Sequence, residues 1–486
     1  MLSRRGRLSA AIAMIAVLSG CSGSGGGGGS ALANAPTPSP SPSPQASANA
    51  TCSLRARQDW AAAQLREWYL FPETLPATLD PAPFTTVSDY VDALTATARA
   101  QRRDRFFTFV TSIAQENAFF NAGATAGFGV RLAYDSQSRL FVAEAFEGAP
   151  ALTAGIDRGA QIVAIGTSAT TLTTVASLIA SGGSNAVNDA LGPSTAGTTR
   201  VLRITDASGT RDVAVTKADF TLTPISSRYG ARIIADGADR VGYLNLRTFI
   251  STADAQLRAA FADFRAQGIT RVILDFRYNG GGLVSTAELI GDLLGGARST
   301  SEVFSVTTFR PEKASNNETR NFAPQPQSIA PMRIAFIGTG GTASASELVI
   351  NSMIPYLRAN VALIGSNTFG KPVGQIALDR AACDDRLRVV AFATLNASRQ
   401  GDYYDGLAGV VESTCRAADD YARPLGDPAE ASTRAALDFL AGRSCSPIAA
   451  NGGATAQGAT ATLAEDKQLL VPTRPNPAQR EVPGLF

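Results

Sequence analysis

The stretch GTASASE (residues 341–347) holds two serines, either of which could act as a nucleophile. A serine hydroxyl needs a base to remove its proton, and this chain of 486 residues contains no histidine. Lys371 is the best remaining base, because flanking glycines and apolar residues can desolvate its amine and lower its pKa toward neutrality. The alternative role for Ser344 is structural, since Ser344-x-x-Glu347 is a capping-box pattern at a helix start.

The stretch DFRYNGGG (residues 275–282) contains three successive glycines. Residues without side chains let the backbone approach a ligand closely and turn N–H groups toward it, which suits an anion or an oxyanion. The alternative is a tight turn between a strand and a helix.

The elements that must position these residues alternate between strands and helices over residues 219–445. RVILDFR, MRIAFIG and VALIG are near-continuous apolar runs of the kind that form buried strands, and VSTAELIGDLLG and ASELVINSM have helical patterns. Each candidate stretch follows one of these strands. The alternation predicts an α/β domain built from β-α units.

Two regions precede this domain. Residues 51–118 have apolar residues at helical spacing, which predicts an N-terminal helical region packed on a later domain. Residues 119–218 alternate like strands, and their pieces GAPALTAGI and DRGAQIVAIG resemble a PDZ domain. A PDZ domain binds an extended peptide at a sheet edge, and the resemblance implies that the loop Gly127, Phe128, Gly129 and Val130 does so here. The alternative is a generic β-rich domain with glycine turns.

The N-terminus resembles a bacterial lipoprotein signal. A basic start is followed by an apolar stretch from Leu8 to Leu18, which is too short to span a bilayer as a helix. Leu18-Ser19-Gly20-Cys21 resembles a lipobox, which implies a signal peptide over residues 1–20 and a lipid on Cys21. Residues 21–50 are then a Gly/Ser/Pro-rich tether. We expect a lipid-anchored protein facing the periplasm, with the outer membrane favoured by Ser22; an ordinary secretory signal is the alternative.

The counts of charged residues, cysteines and histidines narrow the classes of binding partner and cofactor. Lys and Arg total 43 against 41 Asp and Glu, a balance that gives no reason to expect nucleic acid. Four cysteines besides Cys21 predict two disulfides in an exported chain, and three pairings are open. Without histidine or paired C-x-x-C spacing we expect no metal site and no cofactor. The four cysteines are Cys52, Cys383, Cys415 and Cys445.

The order of PDZ-like region, DFRYNGGG, GTASASE and TFGKPVGQ resembles the carboxyl-terminal processing peptidases, S41-type serine proteases with a Ser-Lys dyad. The resemblance implies a ClpP/crotonase-like α/β core with an inserted PDZ domain, and polypeptide substrates. It also assigns roles: Ser344 is the nucleophile, Lys371 the general base and Gln375 the residue that orients it. Ala345 and either Gly281 or Gly282 supply the oxyanion-hole N–H groups.

Several alternatives stay open. Lys371 lies 27 residues after Ser344, two more than the family pattern, so counting by spacing would select Ser346. We favour Ser344, because Met353-Ile354-Pro355 is expected to end the helix and the following loop can absorb two residues. The protein could instead be an inactive PDZ-type peptide-binding lipoprotein, or a crotonase-like acyl-thioester enzyme.

The tail, residues 446–486, has low complexity and is predicted to be poorly ordered. Its apolar pieces, Val471-Pro472 and Val482–Phe486, suggest that it occupies the PDZ-like groove or is trimmed by the enzyme itself.

Overall fold

The computed structural model describes residues 51–449 and 468–486. The predicted signal peptide, the lipidation site Cys21 and the tether therefore lie outside the described residues. Within the two described ranges, no helix combines the length and the apolar character that crossing a bilayer requires.

The N-terminal region is mainly helical, as its spacing predicts. Its helices pack on a sheet formed later in the chain, where Leu65, Tyr69 and Val91 contact Leu387 and Val389. The first elements are α1 (Leu54–Trp68), a 3₁₀ turn (Pro72–Thr74), α2 (Val87–Leu94), α3 (Ala96–Ala100), β1 (Phe109–Ser112) and α4 (Ile113–Ala122).

The next region is rich in strands. Strands run in the order β20-β3-β4-β5-β7-β8, with β6 beside β5, and β2 pairs separately with β9. Its elements are β2 (Ala124–Gly127), β3 (Val130–Tyr134), β4 (Leu140–Ala145), α5 (Pro150–Thr153), β5 (Gln161–Gly166), β6 (Thr173–Thr174), α6 (Val175–Leu191), β7 (Thr199–Asp206), β8 (Gly209–Thr216) and β9 (Ala218–Thr221), and β20 (Gln468–Leu469) joins from the tail.

The remaining elements form the predicted α/β domain. Its central sheet has the order β10-β11-β12-β15-β16-β19, in which every pair is parallel except β10 with β11. The elements are β10 (Ala231–Asp236), β11 (Asp239–Asn245), α7 (Ala253–Ala266), β12 (Arg271–Asp275), α8 (Val284–Leu294), β13 (Val303–Phe309), β14 (Glu318–Asn321), β15 (Arg333–Gly338), α9 (Ala345–Leu357), β16 (Val361–Gly365), β17 (Val373–Arg380), β18 (Asp385–Leu395), β19 (Ser413–Arg416) and α10 (Ala431–Leu440), with 3₁₀ turns at Pro311–Asn316, Arg358–Asn360 and Ala381–Cys383.

The apolar runs of the central strands follow from burial on both faces. Val272 and Leu274 of β12 pack toward α7, α8 and α9, while Ile273 between them packs toward α10. Neighbouring side chains of a strand point to opposite faces, so a strand covered on both sides has no polar alternation. A second, antiparallel sheet has the order β1-β18-β13-β14, with β17 beside β18, and it carries the N-terminal helices.

The structure differs from two expectations. Helix α9 continues through Pro355 to Leu357 instead of ending at the proline, which indicates that its packing outweighs the lost hydrogen bond. The second half of the tail is ordered: β20 pairs with β3, and a short helix, α11 (Pro477–Glu481), begins at the capping residue Asn476. The low-complexity sequence does not indicate this order, because the order depends on packing against surfaces that other parts of the chain form.

The four cysteines form two disulfides, Cys52–Cys383 and Cys415–Cys445. The first joins residues 331 positions apart and ties the start of α1 to the turn between β17 and β18. The pairing that the sequence left open is set by the fold, which brings these two distant turns together.

Candidate active site

The three candidate stretches meet because their strands are neighbours. The glycine turn follows β12, the Ser344 loop follows β15 and the Lys371 loop follows β16, and these strands lie side by side in parallel. Their carboxyl ends therefore reach the same edge of the sheet, where ligands of open α/β sheets bind. Residues separated by almost a hundred positions come together at this edge.

Ser344 has a strained backbone. It precedes α9 with φ 56° and ψ −114°, whereas an ordinary N-cap residue has the extended conformation. A positive φ is uncommon for a residue with a side chain and costs free energy that the surrounding structure must supply. Capping alone therefore does not account for this geometry, which resembles the sharp strand-to-helix turn of an exposed nucleophilic serine.

Ser346, the alternative nucleophile, is buried within the protein. Its side chain is inaccessible to solvent, and its hydroxyl donates a hydrogen bond to the main-chain oxygen of Asn279 at 3.2 Å. Ser344, by contrast, is partly exposed. The geometry favours Ser344 as the reactive serine and gives Ser346 a role in holding the glycine turn against α9.

Glu347 connects the two predicted catalytic residues. One carboxylate oxygen, Oε2, accepts the N–H of Ser344 at 3.0 Å and the N–H of Lys371 at 2.8 Å. The other, Oε1, accepts the N–H of Gly370 at 2.7 Å. Burial raises the pKa of the Glu347 carboxyl, and the hydrogen bonds that it accepts from Thr368 and from these amides oppose the rise. The buried Glu347 carboxyl thus joins the loop of Lys371 to the loop of Ser344 through hydrogen bonds.

Lys371 sits in an environment that favours a neutral amine. Burial lowers its pKa from the ordinary lysine value, with opposing influences from neighbouring charges, of which Glu481 raises the pKa most. Its Nζ donates to Oε1 of Gln375 at 2.9 Å and lies 5.1 Å from the centre of the Phe107 ring. The Gln375 amide in turn donates to the main-chain oxygen of Phe107, which fixes its orientation.

The glycine turn packs directly against the serine loop. A β-carbon on Gly281 would lie 2.8 Å from Cβ of Ser344 and 3.1 Å from the amide nitrogen of Ala345, so glycine is required there. Gly281 also has φ 116°, and Gly282 has φ 135°. The turn therefore lies beside the N-terminus of α9, whose first N–H groups and positive dipole end favour negative charge.

The main-chain N–H groups of the glycine turn donate to other acceptors than the sequence predicts, since Gly281 or Gly282 was expected to bind the oxyanion. The Gly281 N–H donates to Oδ1 of Asn279 at 2.9 Å, so in this structure it is committed to that side chain. The Gly280 N–H, one residue earlier, donates to the main-chain oxygen of Glu481 at 2.9 Å. The turn amide that binds a peptide carbonyl here is thus Gly280.

A buried ion-pair network holds the end of β12, from which the glycine turn begins. Arg277 is inaccessible and pairs with Asp275 at 2.9 Å and with Glu430 at 2.8 Å, while the Tyr243 hydroxyl donates to Asp275 at 2.8 Å. Buried charges are tolerated only when their partners are held in place, so this network rigidifies the end of β12. It explains the charged residues in an otherwise apolar strand end.

A segment of the chain's own tail is bound to the predicted peptide loop. Gly129 and Val130 donate their N–H groups to the main-chain oxygen of Phe486, at 2.8 and 3.2 Å. The Phe128 side chain is buried in the same apolar cluster as Phe486. Of the predicted site residues, only Cys21 lies outside the described residues.

A cavity of about 830 Å³ opens at the sheet edge where the three loops meet and is lined by Lys371, Gly280, Ala343 and residues of the tail. In the described part of the chain, no group of three or more carboxylate or cysteine side chains has an arrangement suited to a metal ion.

Three residues that shape the site were not predicted from the sequence to do so. Glu347 was assigned only to a capping box, although its place beside the serine was the available signal. Asn279 holds the glycine turn through Gly281 and through the Ala343 N–H, which its main-chain oxygen accepts at 3.0 Å. Glu481 gave no local signal, because only folding brings it to Lys371.

Residues 240–400 match peptidase family S41. The chain is 28% identical over 278 residues to the C-terminal processing peptidase of chloroplasts from Tetradesmus obliquus, covering 53% of this chain and 54% of that protein. It is 28% identical over 161 residues to the carboxyl-terminal-processing protease of Picosynechococcus, covering 33% of this chain and 35% of that protein. The match thus spans about half the length of the first of these curated relatives.

The fold has a solved counterpart. The crystal structure of a candidate S41 protease from Bacteroides fragilis superposes with a TM-score of 0.61 at 23% identity, covering 79% of this chain and 97% of that one. At this identity the likeness concerns the fold, and it confirms the predicted α/β fold class.

Proposed function

We propose that this chain, in which residues 240–400 match peptidase family S41, is a serine endopeptidase that cleaves unfolded or C-terminal segments of exported proteins through a Ser344–Lys371 dyad. One observation carries the proposal: Ser344 is held at positive φ on a helix N-terminus, and Glu347 joins its amide to that of Lys371. Strain stored at a partly exposed serine beside a desolvated lysine is typical of an activated nucleophile.

In the proposed reaction the neutral Lys371 amine takes the Ser344 proton as Oγ attacks the scissile carbonyl carbon. The tetrahedral oxyanion is stabilised by the Ala345 N–H and by an amide of the glycine turn. Gly280 is the better supported donor, because its N–H already binds a carbonyl oxygen. Collapse of the intermediate sends the lysine proton to the leaving amine and leaves an acyl group on Ser344, which a water activated by Lys371 then hydrolyses.

The strand-rich region is proposed to be a PDZ-like peptide-binding domain. The support is that β3 accepts an extended segment along its edge and that the loop at Gly129 binds a main-chain oxygen through two N–H groups. This is how peptides are recognised by strand addition, with main-chain hydrogen bonds giving affinity and side-chain pockets giving selectivity.

Activity on an unfolded protein such as casein tests the dyad. We expect Ser344→Ala and Lys371→Ala to lower turnover by at least about 10³-fold, as loss of a catalytic nucleophile or base does. Ser346→Ala should stay within a few fold of wild type, because it removes a hydrogen bond worth about 1 kcal/mol. Ser352→Ala, a buried serine on the same helix, is the matched control.

Two outcomes would contradict the proposal. If Ser346→Ala, and not Ser344→Ala, abolished cleavage, the nucleophile would be the other serine. If Lys371→Ala and wild type were equally inactive on casein, while a labelled peptide still bound, the protein would be an inactive peptide-binding module.

A further inference from the structure

The tail segment, residues 468–486, lies along the edge of β3 opposite β4. Residues 468 and 469 pair antiparallel with Tyr134 and Ala133, and the chain returns so that the main-chain oxygen of Gly484 accepts the Leu132 N–H at 2.8 Å. The Phe486 N–H then donates to the oxygen of Val130 at 2.9 Å. The segment thus occupies the edge at which a peptide would add as a strand.

Apolar side chains anchor both parts of the tail segment. Phe486 and Leu470 are 3% and 1% exposed and pack among Phe128 and Leu132. Leu485 and Val482 pack in a neighbouring cluster with Phe119 and Phe146. Burying such side chains contributes about 1.5–3 kcal/mol each, so the docked segment is bound by more than main-chain pairing.

Between these anchors the tail segment crosses the proposed catalytic pocket. The main-chain oxygen of Glu481 accepts the Gly280 N–H at 2.9 Å, and Arg480 and Glu481 are among the charges that act on Lys371. Arg131, which is buried, donates from Nη1 to the oxygen of Tyr278 at 2.7 Å and to that of Pro483 at 2.8 Å. One arginine therefore joins the glycine turn, β3 and the tail.

Ionic contacts hold the segment to the N-terminal helices as well. Arg474 pairs with Asp89 and Asp92 of α2 on the surface. The Arg480 guanidinium stacks 3.5 Å from the centre of the Phe109 ring and donates to the main-chain oxygen of Phe106 at 3.3 Å.

The segment passes the pocket as a helix and not as an extended strand. The Val482 N–H donates to the oxygen of Ala478 at 2.8 Å, and the Gln479 side chain donates to the oxygen of Leu485 at 2.8 Å. Main-chain groups that are bonded within the segment are not offered to the enzyme as those of an extended substrate are. The segment therefore covers the pocket as a helical turn, from which the Glu481 oxygen is bound by the Gly280 N–H.

We propose that residues 468–486 are an intramolecular ligand that occupies the peptide edge and covers the catalytic lysine, so that a substrate must displace the segment before it is cut. The inference rests on the proposed peptidase function. The competing partner is an unfolded polypeptide with an adjacent leucine and phenylalanine, or similar large apolar residues, which would fill the places of Leu485 and Phe486.

Casein cleavage by full-length protein, by a variant that ends at residue 467 and by Arg474→Glu tests the inference. Arg474→Glu places like charges at Asp89 and Asp92, and we expect it to raise the initial rate about fivefold by increasing the undocked fraction. Arg443→Glu, which changes a similarly exposed arginine that pairs with Asp236 and Asp438 and with no residue of the segment 468–486, is the matched control and should leave the rate unchanged. The variant that ends at residue 467 should be more active still.

A synthetic peptide of residues 468–486 provides a measurement that does not depend on turnover. We expect it to bind a Ser344→Ala form of the shortened variant in fluorescence anisotropy and to inhibit the active shortened variant. A peptide with serine at positions 485 and 486 should do neither. Arg474→Glu keeps the inference testable if the shortened variant does not fold.

The outcomes separate the two proposals. Equal rates for full-length protein, Arg474→Glu and the shortened variant would overturn the inference while leaving the peptidase standing. Peptide binding without cleavage by any variant would overturn the peptidase and leave only the docked segment. Loss of tail residues in wild type but not in Ser344→Ala, seen by mass spectrometry, would make the segment a substrate and overturn its role as a cover.

Discussion

At the scale of residues, the proposed chemistry depends on how the fold changes the properties of two ordinary side chains, those of Ser344 and Lys371. Lysine is normally protonated and serine normally unreactive. Burial lowers the pKa of Lys371, and Gln375 fixes the direction of its amine. Glu347 fixes the positions of Ser344 and Lys371 relative to each other, because its carboxylate accepts hydrogen bonds from the main-chain N–H groups of both residues. The same carboxyl completes a capping box, so its structural and positioning roles coincide.

The pH dependence of cleavage reports on Lys371. An amine acts as a base only when it is neutral, so the rate should rise with pH through a pKa below the ordinary lysine value of about 10.4. The pH profile of kcat/KM reports on the free enzyme, in which the tail segment is docked and the negative charge of Glu481 raises this pKa, so Glu481→Gln should move the midpoint of kcat/KM to lower pH. Rates measured from pH 6 to 10 give the midpoint.

A surface control accompanies this measurement. Glu412 pairs with the exposed Arg358, and Glu412→Gln should leave the midpoint where it is in wild type. A shift to higher pH in Glu481→Gln would contradict the assignment of Lys371 as the titrating base.

At the scale of elements, the site is made by three loops that leave adjacent parallel strands. The glycine turn needs its lack of side chains, because Gly281 faces Ser344 at a distance that excludes a β-carbon. The buried pair of Arg277 with Asp275 and Glu430 holds the strand end from which this turn begins. Strain at Ser344 can persist because the elements on both sides of it are rigid.

Gly281→Ala tests the close approach of the turn to the serine. The added methyl group would push Ser344 and the N-terminus of α9 away, and the positive φ would add about 1–2 kcal/mol of backbone strain. We expect cleavage to fall by about 10²-fold or more, the size of effect seen when an oxyanion donor is lost. Gly409→Ala, where no atom lies within 4 Å of the added carbon, is the control. Equal rates for the two variants would contradict the proposed placement.

At the scale of the whole molecule, the described residues form one compact unit in which the N-terminal helices, the α/β domain and the tail line the cavity beside Lys371, while Arg131 of β3 contacts the Tyr278 oxygen. Two disulfides close this unit, which agrees with the proposal that the protein is exported, because disulfides persist in oxidising compartments. The proposed lipid on Cys21 and the tether of residues 21–50 would hold it at the periplasmic face of a membrane.

Fractionation of cells tests the proposed anchor. Wild-type protein should sediment with membranes and be released by detergent, whereas Cys21→Ala should be found in the soluble fraction. Ser24→Ala, a change in the same tether, should behave as wild type. Sedimentation of Cys21→Ala with membranes would contradict anchoring through that residue.

The sequence by itself indicated the family resemblance, the α/β class and the candidate residues; residues 240–400 match peptidase family S41, and the solved counterpart confirms the α/β class. Hydrophobic runs that must be buried on both faces identify parallel strands, and short motifs carry their chemistry in the order of the chain. The roles of Ser344, Lys371 and Gln375 stay predictions, although the structure brings these residues together.

Only the tertiary structure decided what depends on contacts between distant residues. It set the cysteine pairing, it gave Ser346 a buried partner, and it linked Ser344 to Lys371 through Glu347. It also placed Phe486 against the loop of Gly129 and Val130 and Glu481 near Lys371, although the tail has no marked local pattern. Local patterns report which face of an element is buried, whereas the partner of that face is chosen by strand order and packing.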